Sequence, residues 1–122
     1  MQVRASARNV RMSHRKVQLV VETVRGRPAA EALSVLQFAQ QAAAREVWKV
    51  IRSAVANAEN NYSLDPADLY VVSATADMGP VWGRRYYRKA RGQAGLVVKR
   101  GTHITVVVDD EPGIARRQAR GR

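Results

Sequence analysis

Apolar residues fall along this chain at two kinds of spacing, helical in the first half and β-like at both ends. Val17, Val20, Val21 and Val24 stand at i, i+3, i+4 and i+7, which places them on one face of a helix. Ser13 precedes that stripe as an N-cap, and Gly26 follows it as a stop. Pro28 opens a second helix with Ala29, Ala32, Leu33 and Leu36 as its buried stripe and an end near Ala39. A third, longer helix is predicted from about Gln41 to Asn60. Its apolar stripe is Val47, Val50, Ile51, Ala54, Val55 and Ala58, and Arg45, Lys49 and Arg52 make a solvated opposite side. Trp48 either joins the core or covers a neighbouring surface.

Strand signals frame these helices. Val3, Ala5 and Ala7 alternate with Gln2, Arg4 and Ser6, which predicts a short strand followed by a turn around Asn9. Leu69 to Ala76 reads as a second strand, and Thr102 to Val108 as a third by its β-branched content. Between the last two lies Gly79 to Gly101. If the strands pair antiparallel, this segment extends their hairpin, with arms of about ten residues reaching roughly 30 Å. The expected fold class is α+β. A single domain is expected over 1–110, including a hairpin at 79–101, and a basic disordered tail over 111–122.

Charge turns this outline into a functional expectation. The 122 residues carry 21 Lys and Arg against 10 Asp and Glu, a formal net charge of +11. Such an excess repels itself unless a polyanion compensates it. Most of the cations are Arg, whose planar fork makes two-point contacts to phosphate and stacks on bases. The hairpin segment carries Arg84, Arg85, Arg88, Lys89, Arg91, Lys99 and Arg100, with Trp82, Tyr86 and Tyr87 interleaved and no acid between Asp77 and Asp109. A naked two-stranded ribbon is marginal in water. Surrounding RNA removes that problem, because arginines neutralise phosphates while aromatic rings stack on bases. The plainer reading is a solvated, mobile loop, and the aromatics and the missing acids weigh against it. A second basic cluster comprises Arg4, Arg8, Arg11, Arg15 and Lys16. Cations in a first helical turn oppose the macrodipole, a penalty that a phosphate at the helix start relieves.

Catalytic chemistry is thin. Cysteine is absent, which fits a reducing cytoplasm, and the two histidines, His14 and His103, are far apart in sequence. No spacing suits a metal site, so neither metal nor cofactor is expected. A carboxylate pair from Asp77 and Asp109 across the hairpin base is conceivable, although neutralisation of nearby arginines is the simpler role. No apolar run approaches the ~20 residues of a membrane span. An enzyme is therefore not expected.

Several runs have a familiar order: Ser13-His14-Arg15-Lys16-Val17, Val24-Arg25-Gly26, Ser53-Ala54-Val55-Ala56-Asn57-Ala58-Glu59-Asn60, Asp77-Met78-Gly79-Pro80, Arg88-Lys89-Ala90-Arg91-Gly92-Gln93-Ala94 and Lys99-Arg100-Gly101-Thr102-His103-Ile104-Thr105-Val106-Val107-Val108. Over about residues 1 to 110 the chain resembles the bacterial large-subunit ribosomal protein family number twenty-two. The resemblance implies three helices packed on a small three-stranded antiparallel sheet, with a long protruding hairpin. It implies a structural constituent of the large subunit that binds its ribosomal RNA, supports early assembly and lines the nascent-peptide exit tunnel near the macrolide site. Neighbouring large-subunit proteins and the nascent polypeptide are the further partners, in a bacterial-type cytoplasm; neither a membrane nor a homo-oligomer is expected. The rRNA contacts fall to the two basic clusters. The tunnel-lining tip falls to Trp82, Arg84, Arg85, Tyr86, Tyr87, Arg88, Lys89, Ala90 and Arg91, within a tip of about Trp82 to Ala94. This chain departs from the family's usual pattern at Arg88-Lys89, where proline then arginine is common, and by one extra residue in the run from Val81 to Tyr87.

Two other classes compete on the residues alone. A DNA-binding architectural protein could lay the hairpin in a groove, but no clear apolar wedge stands at its tip. A nucleic-acid-dependent enzyme needs a polar catalytic cluster, and none is present.

Overall fold

A computed structural model describes residues 1–111. The basic tail expected over 111–122 lies, from residue 112 onward, outside the described residues. Strand β1 (Val3–Val10) leads into helices α1 (His14–Val24), α2 (Ala29–Gln37) and α3 (Ala42–Tyr62). A short turn of 3₁₀ helix at Pro66–Asp68 then leads to strands β2 (Tyr70–Arg88) and β3 (Ala94–Asp109). The sheet is antiparallel, in the order β1-β3-β2. The α+β class with three helices and three strands is as expected.

The helical stripes read from spacing are the ones that pack. Val17, Val20, Val21 and Val24 of α1 are buried, as are Ala29, Ala32 and Leu36 of α2. In α3 the buried set includes Val47, Val50, Ile51, Ala54 and Ala58. These side chains meet Val3, Ala5, Val71, Ala74, Ile104, Val106 and Val108 in one apolar core against the sheet. Burying a valine fully contributes about 1.5–3 kcal/mol, so a core made largely of Val and Ala gains through number rather than bulk.

Three local expectations shift. Ser13 occupies the N-cap of α1, but its side chain makes no capping bond. Helix α3 continues to Tyr62 and ends at Ser63 in the left-handed region (φ 53). Asn9 does not turn the chain. Its φ of 58 makes a bulge inside β1, which pairs with β3 up to Ala7↔Ile104 and again at Val10↔Thr102. A short polar side chain tolerates that conformation, and the extra residue lets the strand continue past a kink.

Beyond Val10↔Thr102, strand β1 has ended and β2 and β3 continue alone from Val81↔Arg100 to Arg88↔Ala94. This free ribbon spans about eight residues of β2, or roughly 25 Å at ~3.3 Å per residue. Its base is a close backbone crossing. A Cβ on Gly79 would lie 2.9 Å from the backbone carbon of Gly101, and one on Gly101 would lie 3.1 Å from the Pro80 oxygen. Pairing lapses between Met78 and Val81, where Pro80 has no N–H to give.

Candidate nucleic-acid interface

The hairpin closes through Lys89 to Gln93. The Lys89 N–H donates to the Gln93 carbonyl at 2.6 Å around a 3₁₀ turn at Ala90–Gly92. Arg91 and Gly92 both take positive φ, 61 and 70, which lets so short a turn reverse the chain. The turn is thus narrower than the span from Trp82 to Ala94 anticipated from sequence, because both arms stay in strand up to Arg88 and from Ala94.

Register assigns side chains to the two faces of the ribbon, since residues directly opposite in an antiparallel pair share a face. Arg84 sits opposite Val98, Tyr86 opposite Leu96 and Arg88 opposite Ala94. Arg85 sits opposite Val97, and Tyr87 opposite Gly95. Arginine and tyrosine therefore alternate along the β2 arm on both faces, while the facing β3 arm is apolar or small from Ala94 to Val98. Tyr86 is 77% exposed, and Arg84, Arg85, Arg88, Lys89 and Arg91 are exposed as well.

Trp82 lies away from that turn, at the ribbon's base. The guanidinium carbon of Arg11 stands 4.9 Å from its ring centroid. Both residues line an open cleft of about 990 Å³ between the start of α1, the start of α3 and the base of the hairpin. Arg11, Arg15 and Lys16 of the N-terminal cluster meet Lys99 and Arg100 of the hairpin there, and among the described residues no acidic side chain lines it. Parts of the two basic clusters, distant in sequence, thus meet in one cleft, while Arg84 to Arg91 lie on the ribbon outside it. Arg4 and Arg8 stand outside it, exposed on β1. No local signal in the sequence marks this union; it follows from the β2–β3 register, which returns Lys99 and Arg100 to the end of β1.

His14 lines the same cleft, and its Nδ1 is buried without a hydrogen-bond partner. His103 accepts the Asn9 N–H at Nδ1 over 3.2 Å, so it braces the β1 bulge. On α3, Arg52 lies 5.2 Å from the Trp48 ring centroid, so Trp48, partly buried against the core, also carries a cation on its ring.

The acids stand elsewhere. Asp77 pairs with His103 and Asp109 with Tyr70, so the two carboxylates considered as a pair are separated by six positions along β3. That separation overturns the pairing across the hairpin base. Asp109 is buried and accepts from the Met1 ammonium at 3.1 Å and the Glu111 N–H at 3.1 Å, rather than from arginine. Asp110 accepts from the same ammonium at 2.8 Å, which holds its carboxyl below the ordinary carboxylate value. The ammonium in turn is raised, first by Asp110 and then by Asp109. Among the described residues no group of three or more His, Asp or Glu is placed to hold a metal, and no helix is long and apolar enough to cross a membrane.

Fold and surface together define an α+β protein with a cationic cleft and a projecting arginine- and tyrosine-rich ribbon. Residues 5–109 match the family model described as ribosomal protein L22p/L17e. A relative from Herpetosiphon aurantiacus, described as large ribosomal subunit protein uL22, is 49% identical over 110 residues, covering 90% of this chain and 96% of its own length. The chain belongs to the ribosomal protein L22p/L17e family. It is accordingly a structural protein of the large ribosomal subunit and not an enzyme.

Proposed function

We propose that the chain binds large-subunit ribosomal RNA through its two basic clusters and helps fold that RNA during early assembly. Arg4, Arg8, Arg11, Arg15 and Lys16 hold the globular body on phosphates. Arg84, Arg85, Arg88, Lys89, Arg91, Lys99 and Arg100 seat the hairpin between RNA segments. The observation that carries this reading is the cleft in which Arg11, Arg15 and Lys16 face Lys99 and Arg100, with no acid lining it among the described residues. Contacts of this kind fix position and register more than sequence, so folded RNA shape supplies the specificity.

The finer reading places the hairpin's far end beside the nascent polypeptide in the exit tunnel, near the macrolide site. It is supported by the free length of the ribbon and by the family resemblance in the runs from Asp77 to Pro80 and from Arg88 to Ala94. The tunnel wall then falls to the outer part of the ribbon, Arg84 to Arg91, with Tyr86 and Tyr87 shaping it. Trp82 stays with the cleft at the base. Neighbouring large-subunit proteins complete the partner set.

Sedimentation of cell lysate through sucrose gradients at low and high salt tests the reading. The protein is expected to travel with the large subunit and to resist salt that strips peripheral basic proteins. Release at moderate salt would mean simple polyphosphate affinity. Glu at both Arg88 and Arg91 is expected to reduce incorporation into large subunits, and unchanged incorporation counts against the hairpin's part in assembly.

A further inference from the structure

We infer that the cleft at the hairpin base receives an unpaired nucleotide of the folded RNA, with its base against Trp82 and its phosphates among the surrounding cations. This rests on the RNA-binding reading and adds to it the form of RNA the cleft selects.

A surface that only neutralised duplex phosphates would need charge and nothing more. This cleft has charge and open apolar wall together. Trp82 is 49% exposed and Leu19 is 65% exposed, although both line a cavity bounded by Arg11, Lys99 and Arg100. Apolar side chains left open to water inside a cationic cleft suit a ligand that brings both a flat face and a negative charge. An unstacked nucleotide is such a ligand, and a paired one keeps its face inside the helix. The volume, about 990 Å³, is at the upper end of the ~300–1,000 Å³ of pockets that enclose small-molecule-sized groups.

The cleft also prepares each part of that ligand a place. Arg11 lies over the Trp82 ring, and the indole residue remains 49% exposed, so a base can reach it. Both helices that start at the cleft offer backbone N–H groups. Neither α1 nor α3 has a side-chain cap or an acid in its first turn. Helix α1 instead carries Arg15 and Lys16 there, a placement that favours a bound anion. For the edge of the base, the cleft lining supplies the side chains of Gln41 and His14.

The test uses large subunits carrying the protein. Ultraviolet crosslinking of wild-type subunits, followed by nuclease digestion and mass spectrometry, is expected to find a nucleotide on the peptide containing Trp82. Chemical probing of the RNA is then compared between wild type and Trp82→Ala. One or two unpaired nucleotides should gain reactivity several-fold, and Trp82→Phe, which keeps a ring to stack on, should leave them protected. Crosslinks that map only to paired RNA overturn the inference, as does a reactivity pattern unchanged by Trp82→Ala. If the wild-type protein is absent from large subunits, the RNA-binding reading itself falls. If it is present and charge reversal at Arg88 and Arg91 reduces its incorporation while no unpaired nucleotide reports on Trp82, only the inference falls. Should Trp82→Ala fail to incorporate, the wild-type crosslink decides alone.

Discussion

The hydroxyl of Thr102 donates to the backbone carbonyl of Met12 across 2.6 Å, from the buried face of β3 to the loop ahead of α1. This bond sits at the level where β1 ends, since Thr102 is also the strand partner of Val10 and of Met78. The Asn9 bulge, braced by His103, and the crossing of Gly79 with Gly101 lie at the same level. The hairpin therefore leaves the globular body through one collar of bonds and close backbone contacts.

Thr102→Val keeps the shape of the side chain and removes the donor. It leaves the half-buried Met12 carbonyl without its partner, which costs about 1 kcal/mol. Chemical denaturation should show a lower midpoint with an unchanged slope, and Thr102→Ser should recover most of the loss. Equal stability of Thr102→Val and wild type would show that the bond contributes nothing net.

Glycine at position 79 is demanded by contact with backbone, which cannot yield as a side chain can. With 2.9 Å between a new Cβ and the Gly101 carbon, Gly79→Ala forces the two strands apart, at about 1–3 kcal/mol. Gly83 is the control. A Cβ there meets only the Lys99 side chain, at 3.4 Å, so Gly83→Ala should cost far less. Thermal unfolding of the two variants side by side checks the difference, and matched values would sink the explanation.

How much of this was readable in advance follows from what each signal measures. The helices were legible because Val17, Val20, Val21 and Val24, and likewise Val47, Ile51 and Ala54, report their own burial through spacing. The ribbon was legible only from the strands that flank it, Leu69 to Ala76 and Thr102 to Val108, and not from its own residues. In Arg84-Arg85-Tyr86-Tyr87-Arg88 both faces are exposed, so no alternation of apolar and polar residues records the strand period. Asn9 read as a turn because its side chain tolerates positive φ, and here that tolerance serves a bulge instead. The basic residues were each legible by type. Their meeting in one cleft was not, because Arg11 and Lys99 are joined only by the register of β1 and β2 on β3.

Strain at Asn9 gives a third prediction. Its φ of 58 is a conformation that a β-branched side chain adopts poorly, so Asn9→Val should destabilise the fold by about 1–2 kcal/mol. Asn9→Gly should be close to neutral, since the His103 Nδ1 contact uses the backbone N–H and survives either change. Denaturation midpoints that rank Val level with Gly would mean that the bulge relaxes without cost.

Salt dependence separates the collar from the charges beyond it. Arg85 and Arg88 are exposed and make no ion pair among those in the described structure, so replacing either with Gln should leave protein stability within about 0.5 kcal/mol. Its effect should appear only against RNA. Each lost phosphate contact lowers the slope of log affinity against log salt by roughly 0.7–0.9 in magnitude, and a double variant by about twice that. Titration of the full chain with large-subunit RNA at several salt concentrations measures this directly. Thr102→Val gives the contrasting pattern. It lowers stability, and with the phosphate contacts themselves intact it leaves the slope of the molecules that remain folded unchanged. A slope that falls for Thr102→Val and holds for Arg85→Gln and Arg88→Gln would place the RNA contacts away from the β2 arm.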